Sequence, residues 1–468
     1  MTDCKQDLFI FQDIGSRKVE ADFSGGYVSS DAGGLLLRAL ENKLGLIQSL
    51  GACFQDGRNP DLIEHSVCEM LAQRVYGLAL GYEDLNDHDR LRWDPVMAVL
   101  AGKKDVLGET RLNPDDRGKA LAGKATLNRF ELGIHQRDDR YKKITVDLDQ
   151  VGELLLSSGV KMIPRKSKRI VLDFDATDDP LHGKQEGAFF HGYYKEYCYL
   201  PLYCFCGNIP LWAQLRDAKR DASSGCVDAL AKIVPAIRAR FGDRVEIVLR
   251  ADSGFAREEI LAWCEKHQVK YCVGLAKNNT VIAKLTKSFE SLEMKLQEGN
   301  AQLPLREFVS FKYRTQKSWS CSRRVIGKAE ILEKGRNPRF IVTSLQEGSS
   351  ADLYEKFYCA RGDMENRIKE QQQDLFADRT STHWIKSNQW RLYLSAFTHL
   401  IFSVLQSDIL KVTRWAKATI GQIRLQLCKI GARVKVSCRR IHLELASSYV
   451  WQEDFAKAFR AIEAFCYQ

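Results

Sequence analysis

Two aspartates stand where short apolar runs end. Asp175 closes Ile170-Val171-Leu172-Asp173-Phe174-Asp175, and Asp252 follows Val248-Leu249-Arg250-Ala251. An acid just past the end of a buried strand lies at the crevice where mixed sheets build their sites. A third acid lies on a helical pattern. Tyr358, Arg361, Glu365 and Lys369 recur at spacings of three and four, which makes one polar stripe beside an apolar face of Phe357, Met364, Ile368 and Leu375. Glu365 therefore falls on the rim of a face that would dock on a sheet. Three carboxylates from two strand ends and a covering helix suit a pair of divalent metal ions, because Mg²⁺ prefers oxygen ligands in octahedral geometry. Two such ions about 4 Å apart can activate a water and stabilise the leaving oxygen of a phosphodiester. Each acid alone has a plainer reading as a turn former, a helix cap or, for Glu365 with Lys369, an i,i+4 ion pair. Asp173 rivals Asp175, since residues two apart on a strand share a face.

The elements that would position these acids follow from the hydrophobic period. From Ser30 to about residue 163 the pattern is helical. Ser30 or Asp31 can cap a segment carrying Leu36, Leu37, Leu40, Leu44 and Ile47. Asn59-Pro60 can start another with Ile63, Val67, Met70, Leu71 and Val75, ending at Gly81. The basic run Pro164 to Arg169 marks a boundary. Beyond it, strands are predicted at Ile170 to Asp175, within Phe189 to Phe205, and at Ile209 to Leu215. A helix (Cys226, Leu230, Ile233, Ile237), the strand Val245 to Leu249, a helix near Ile260 to His267 and the strand Tyr271 to Leu275 come next. Three strands followed by alternating helices and strands indicate a mixed α/β sheet covered on both faces. Residues 277–350 interrupt this order with hairpin-like sequence, and helix returns from Ala351 nearly to the end.

At roughly 150 residues per domain, 468 residues imply about three domains. Apolar residues at 45%, charged residues at 28% and only 10 prolines exclude a disordered or collagen-like chain. The opening MTDCKQDLFIF lacks a basic n-region and a continuous apolar h-region, so it does not read as a signal peptide. No stretch approaches the roughly 20 apolar residues of a membrane helix, so the composition points to a soluble intracellular protein. The 14 cysteines form no CxxC pair, which argues against a zinc ribbon or a thioredoxin-like site and for buried thiols in a reducing compartment. The run Gly118 to Ala125, GKALAGKA, nearly fits a phosphate-cradling loop. However, Ala125 stands where the Mg²⁺-binding hydroxyl belongs and no buried strand precedes it, so no nucleotide cofactor is expected.

The segments LDFDATDDPLHGKQEGAFFHGYYKEYCYLPLY, VLRADSGF and YCARGDMENRIKEQQQDLFADRTST resemble a bacterial DDE-type insertion-sequence transposase, most closely insertion-sequence family thirteen-eighty, over about Phe23 to Ser447. The resemblance implies an RNase H-like mixed α/β core interrupted by a β-rich insertion, with helical amino- and carboxy-terminal regions. Laid on this chain, it gives a helical DNA-binding region over 1–163, the core over 164–276, the insertion over 277–350, the rest of the core with its Glu-bearing helix over 351–400, and a basic helical region over 401–468. It implies Asp175, Asp252 and Glu365 as the catalytic, metal-binding triad, holding two Mg²⁺ ions for which Mn²⁺ can substitute. Asp175 is preferred to Asp173 because the family's first acid is typically followed by x-Thr, here Ala176-Thr177. Related transposases carry a Tyr-x2-Arg-x3-Glu-x6-Lys signature. Tyr358, Arg361 and Glu365 fit it, whereas Gln372 stands where the lysine belongs, one turn beyond Lys369.

Further residues are candidates for DNA contact. Lys411, Arg414, Lys417, Arg424, Lys429, Arg433, Lys435, Arg439 and Arg440 crowd into Ile401 to Leu445 against only Asp408 and Glu444. Such a surplus either neutralises phosphates or simply covers a solvated surface. Thr126, Asn128 and Arg129 alternate with apolar residues as in a short recognition helix, or in an ordinary amphipathic turn. In related transposases an aromatic residue of the insertion stacks on a flipped base, a role open to Trp319 if it is not packed on its own sheet. The expected partners are double-stranded DNA, at element ends and target, and a second copy of the chain in a synaptic complex. The expected location is the bacterial cytoplasm, at the nucleoid. The competing readings are a catalytically inactive DNA-binding derivative and a nuclease without strand transfer.

Overall fold

The structure is a computed structural model that describes residues 8–132, 143–298 and 302–466. Residues 1–7, with Cys4 and most of the opening read against a signal peptide, lie outside it. Two compact units divide the chain. One is Leu148–Leu400; the other joins Met1–Asp147 to Ile401–Gln468. No helix among the described residues is long and apolar enough to cross a membrane, and the cysteines described there are free.

The Leu148–Leu400 unit is organised by a nine-stranded mixed sheet. Its strands run in the order Ile209–Gln214, Leu202–Cys206, Arg169–Ala176, Glu246–Ala251, Lys270–Leu275, Arg339–Thr343, Arg323–Leu332 and Leu305–Tyr313, and Gly335–Arg336 also pairs with Arg323–Leu332. The Asp175 strand is parallel to the Asp252 strand on one side and antiparallel to Leu202–Cys206 on the other. Ile170, Leu172 and Phe174 are almost wholly buried along one of these strands, as are Ile247, Val248 and Leu249 along the other. Apolar runs of this kind form strands that are covered on both faces. The helix Cys226–Phe241 connects the antiparallel strands to the parallel pair. The helix Leu148–Met162 approaches the edge strand so closely that a β-carbon on Gly159 would lie 2.7 Å from the Pro210 carbonyl. Gln389, on a later helix, takes the amide of Leu215 at 2.7 Å and donates to the Ala213 carbonyl at 3.1 Å.

Several expectations differ from what is observed. Residues 277–350 begin with the helices Asn279–Ala283 and Thr286–Gln297. Their strands then extend the main sheet, because Arg339–Thr343 pairs with Lys270–Leu275. The apolar Phe340, Ile341 and Val342 cover an edge that would otherwise lie open. The unit boundary falls after Asp147 rather than after residue 163, since Gly159 lets Leu148–Met162 seat against the sheet. The carboxy-terminal region is not all helical: Ala432–Val436 and Ile441–Leu445 form an antiparallel hairpin. Its alternation, with Ala432 and Val434 buried and Arg433 and Lys435 exposed, is a strand period of two.

The second unit is built from both ends of the chain. Its helix Leu35–Leu44 stops at Gly45 in the left-handed conformation and resumes as Leu46–Gly51. The helix Val67–Leu80 starts from a Ser66–Glu69 capping box rather than at Asn59, and ends at left-handed Gly81. Asn59 caps only the short turn Pro60–Leu62. The strand Val28–Ser29 pairs with Ala432–Val436.

Candidate active site

The register of the two parallel strands sets the site. Phe174 lies opposite Ala251, so Asp175 and Asp252 leave the sheet side by side. Asp252 caps the turn Ser253–Phe255 by accepting from the Gly254 amide at 2.9 Å. Gly274, on the next strand, leaves room for that turn, since a β-carbon there would lie 2.8 Å from the Ser253 nitrogen and 2.6 Å from the Tyr358 hydroxyl. Above these strand ends runs an unevenly wound helix, with π-type turns over Asp352–Tyr358, a regular α stretch over Gly362–Lys369 and π-type turns again over Glu370–Asp374. Met364 and Ile368 are buried, and Ile368 joins Arg361, Glu365 and Lys369 in lining a cavity of about 680 Å³. Asp175, Asp252 and Glu365 all line it.

Arg361 ties two of the acids together. Its Nη1 donates to Asp175 Oδ2 at 3.0 Å, and its Nη2 donates to Glu365. Asp175 Oδ1 accepts from the Ala176 amide at 2.9 Å. Burial pushes the Asp175 carboxyl up to about 7; Arg361 opposes the rise, and the nearby Asp252 and Glu365 add to it. Carboxylate oxygens are the donors that Mg²⁺ and Mn²⁺ take, and the guanidinium between Asp175 and Glu365 marks a place where positive charge is held. Among the described residues no group of three His, Cys, Asp or Glu is arranged to hold a metal ion as it stands. The donor set fits such ions in kind, with Arg361 in the position of the neutralising cation.

A pH dependence follows. The unfolded chain gives up the Asp175 proton near its ordinary value of 3.8, and the folded site gives it up near 7. Folding stability is therefore lost as pH climbs through that window. In EDTA, Asp175→Asn should melt close to the wild type at pH 4 and a few degrees above it at pH 8. An equal difference at both pH values would show that ionising this carboxyl costs the fold nothing.

Asp173 belongs to a different arrangement. Its oxygens accept from Arg250 Nε at 2.5 Å and Nη2 at 2.8 Å, and Arg250 Nη1 donates to the Phe357 carbonyl at 2.5 Å. That buried bidentate pair holds two neighbouring strands and the Glu365 helix together, and Asp173 does not line the cavity. Tyr358 packs beside Gly274, behind the Asp252 turn, with its hydroxyl pushed up to about 12 by burial, Arg361 opposing. Lys369 is exposed at the cavity, and Gln372 donates to the Asp178 carbonyl at 3.0 Å.

Several candidates for DNA contact are otherwise engaged. Trp319 is only 4% exposed, edge-on to Tyr313 at 5.7 Å and beneath Arg323 at 5.2 Å, so it offers no free stacking face. Arg424 is buried and donates to the Ala79 and Leu78 carbonyls, closing the end of the Val67–Leu80 helix. Lys429 pairs with Asp31 at 2.5 Å and lies over the Tyr82 ring. Lys435 pairs with Glu444 at 2.6 Å. Arg433, Arg439 and Arg440 are exposed on or beside the carboxy-terminal hairpin. On the helix Lys124–Leu132, Asn128 and Arg129 are exposed and Thr126 is half-buried, while Leu127 and Phe130 face inward.

The cavity also contains residues outside the three-acid spacing. His191, Tyr193 and Tyr194 reach it from a small three-stranded sheet, with ring centroids 5.0 Å apart between successive members of the cluster, and Tyr193 is 82% exposed. Asp221 and Arg257 line it as an ion pair at 2.6 Å. The aromatic run Phe189 to Phe205 carried a signal for the tyrosines, in that two adjacent aromatics beside His191 cannot both face a core.

Residues 11–466 match the family described as Transposase DDE domain group 1. No curated protein matches the chain. Among solved structures, the cryo-EM piggyBac transposase synaptic complex with hairpin DNA is similar at 7% identity and a TM-score of 0.38, over 80% of this chain and 76% of that one. Because the family match runs over nearly the whole chain, from the amino-terminal hairpin to the last helix, the chain belongs to the DDE transposases of that group.

Proposed function

We propose that the chain is the transposase of a bacterial insertion element most like family thirteen-eighty. In this reading it binds the element's terminal inverted repeats, hydrolyses a phosphodiester to free a 3′-hydroxyl, and directs that hydroxyl at target DNA. One observation carries the proposal: Asp175, Asp252 and Glu365 reach a single cavity from two adjacent strand ends and a covering helix. The strand order around Arg169–Ala176, three antiparallel strands followed by two parallel ones, supports an RNase H-like core.

The three acids would hold the metal ions, and Mg²⁺ or Mn²⁺ bound there would supply an activated water and charge for the leaving oxygen. To hold such an ion Asp175 would be ionised, and Arg361, which donates to Asp175 and Glu365, would offer its charge to a phosphate beside them. Lys369 presents a cation at the cavity, where Arg257 is paired with Asp221, and Tyr193 presents an exposed ring to the same cavity. Exposed Arg433, Arg439 and Arg440, with Asn128 and Arg129, belong to the other compact unit and would contact duplex DNA.

The test is nicking of a labelled duplex carrying the element's own end, with and without Mg²⁺. Release of a 3′-hydroxyl at the element boundary, followed by joining to a second duplex, is the expected result. Cutting without joining would leave a nuclease, and binding without cutting would leave an inactive derivative. In the same assay the double variant Arg439→Glu/Arg440→Glu should weaken binding to element ends and to unrelated DNA alike, by about tenfold or more. Its salt dependence should be shallower, because fewer phosphates are neutralised. A loss confined to element ends would assign base reading to this hairpin.

A further inference from the structure

The hairpin formed by Phe9–Ile14 and Arg17–Ala21 pairs with itself alone among the described residues, leaving both outer edges open. Its side chains are unusually apolar for such a position. Ile10 is 72% and Phe11 57% exposed. A lone two-stranded hairpin is marginal in water, and an open apolar edge invites another strand. The register divides its faces. Phe9 lies opposite Ala21 and Phe11 opposite Val19, so these four share one apolar face, which Phe23 extends by packing edge-on to Phe9 at 5.8 Å. Lys18 and Glu20 point to the other face, and neither has an ion-pair partner among the described residues.

The sequence of the second strand, Arg17-Lys18-Val19-Glu20-Ala21, is self-complementary. Laid antiparallel on a copy of itself about Val19, it sets Lys18 against Glu20 and Glu20 against Lys18, and Val19 meets Val19. Opposite charges directly across strands stabilise such a pairing. The same register keeps odd residues opposite odd ones, so the faces carrying Val19 and Ala21 merge, with Arg17 of each copy opposite Ala21 of the other at the ends. A slip of one residue would set each apolar face against a charged one. A parallel arrangement would oppose like charges. The first strand offers no equivalent, because Asp13 is its one charge. We propose that the outer edge of Arg17–Ala21 joins the same strand of a second copy of this chain, about a two-fold axis through Val19, so that two hairpins form one sheet. This isologous contact needs neither DNA nor metal, and it goes beyond the catalytic reading.

Charge reversal on the full-length protein tests it. By sedimentation velocity at micromolar concentration and without DNA, the wild type should form a dimer. Lys18→Glu and Glu20→Lys should each associate at least about tenfold more weakly. An equimolar mixture of these two variants should regain the dimer. One variant then carries two acids on this strand and the other two lysines, so both cross-strand pairs set an acid of one copy against a lysine of the other. Circular dichroism checks that each variant stays folded, and the mixture controls for any effect inside one hairpin. A monomeric wild type, single variants that associate as the wild type does, or a mixture that stays monomeric would each overturn the proposal. None of these outcomes depends on whether the protein cuts DNA.

Discussion

Glu365→Gln is expected to bind element ends within a few-fold of the wild type and to release 3′-hydroxyls about a thousandfold more slowly, or worse. The side chain keeps its volume and its place on the helix, so the fold has no reason to change. What is lost is the negative charge on an oxygen ligand at the cavity, and with it the ionic character of the bond from Arg361 Nη2. Asp175→Asn and Asp252→Asn should behave alike, and any double variant should be little worse than a single one, because the three acids act as a unit. Removing one of several clustered acids relieves repulsion in the metal-free state, so none of the three variants should melt below the wild type in EDTA at pH 8. The decisive measurement is Mg²⁺-dependent nicking on a verified end. Nicking by Glu365→Gln at the wild-type rate would remove this residue from the catalytic site.

The second large effect concerns folding. Asp173→Asn leaves the Arg250 guanidinium buried without its counter-charge, an arrangement that typically costs about 3–5 kcal/mol. The pair also connects to the Phe357 carbonyl on the Glu365 helix, so its loss loosens the docking of that helix as well. Asp173→Asn should therefore fall in melting temperature and lose activity together with stability. Asp175→Asn, two residues away on the same strand face, should lose activity while keeping its stability. If Asp173→Asn melts with the wild type, Arg250 has found another partner and the contrast fails.

The contrast also shows how far the sequence could be read. Both strand-end acids and the stripe Arg361, Glu365 and Lys369 are visible as interruptions of apolar periods, because strand and helix geometry translate spacing directly into a face. Asp173 and Asp175 cannot be separated this way, since both satisfy the same period. What separates them is Arg250, brought alongside by strand pairing with a segment far away in the chain. Basic residues between Ile401 and Leu445 fail for a related reason. Their number is legible, but Arg424 and Lys429 are spent on the Ala79 carbonyl and on Asp31, partners more than 340 positions distant. Trp319 is covered by Tyr313 and Arg323, which reach it only once their strands pair. The carboxy-terminal hairpin is legible as a period of two, Ala432 and Val434 alternating with Arg433 and Lys435, within a segment dense in positive charge.

The parallel ladder between the Asp175 and Asp252 strands gives the site one fixed jaw and one adjustable one. The ladder ends at Phe174 opposite Ala251, so the residue after each leaves the sheet at a spacing set by strand pairing. Glu365 has no such anchor. It reaches the aspartates through a helix whose winding changes pitch on both sides of it, held by Arg361 and by packing at Met364 and Ile368. Assembly of the three acids is then a single mechanical coordinate, the approach of one helix to a rigid edge, with a guanidinium serving as its latch.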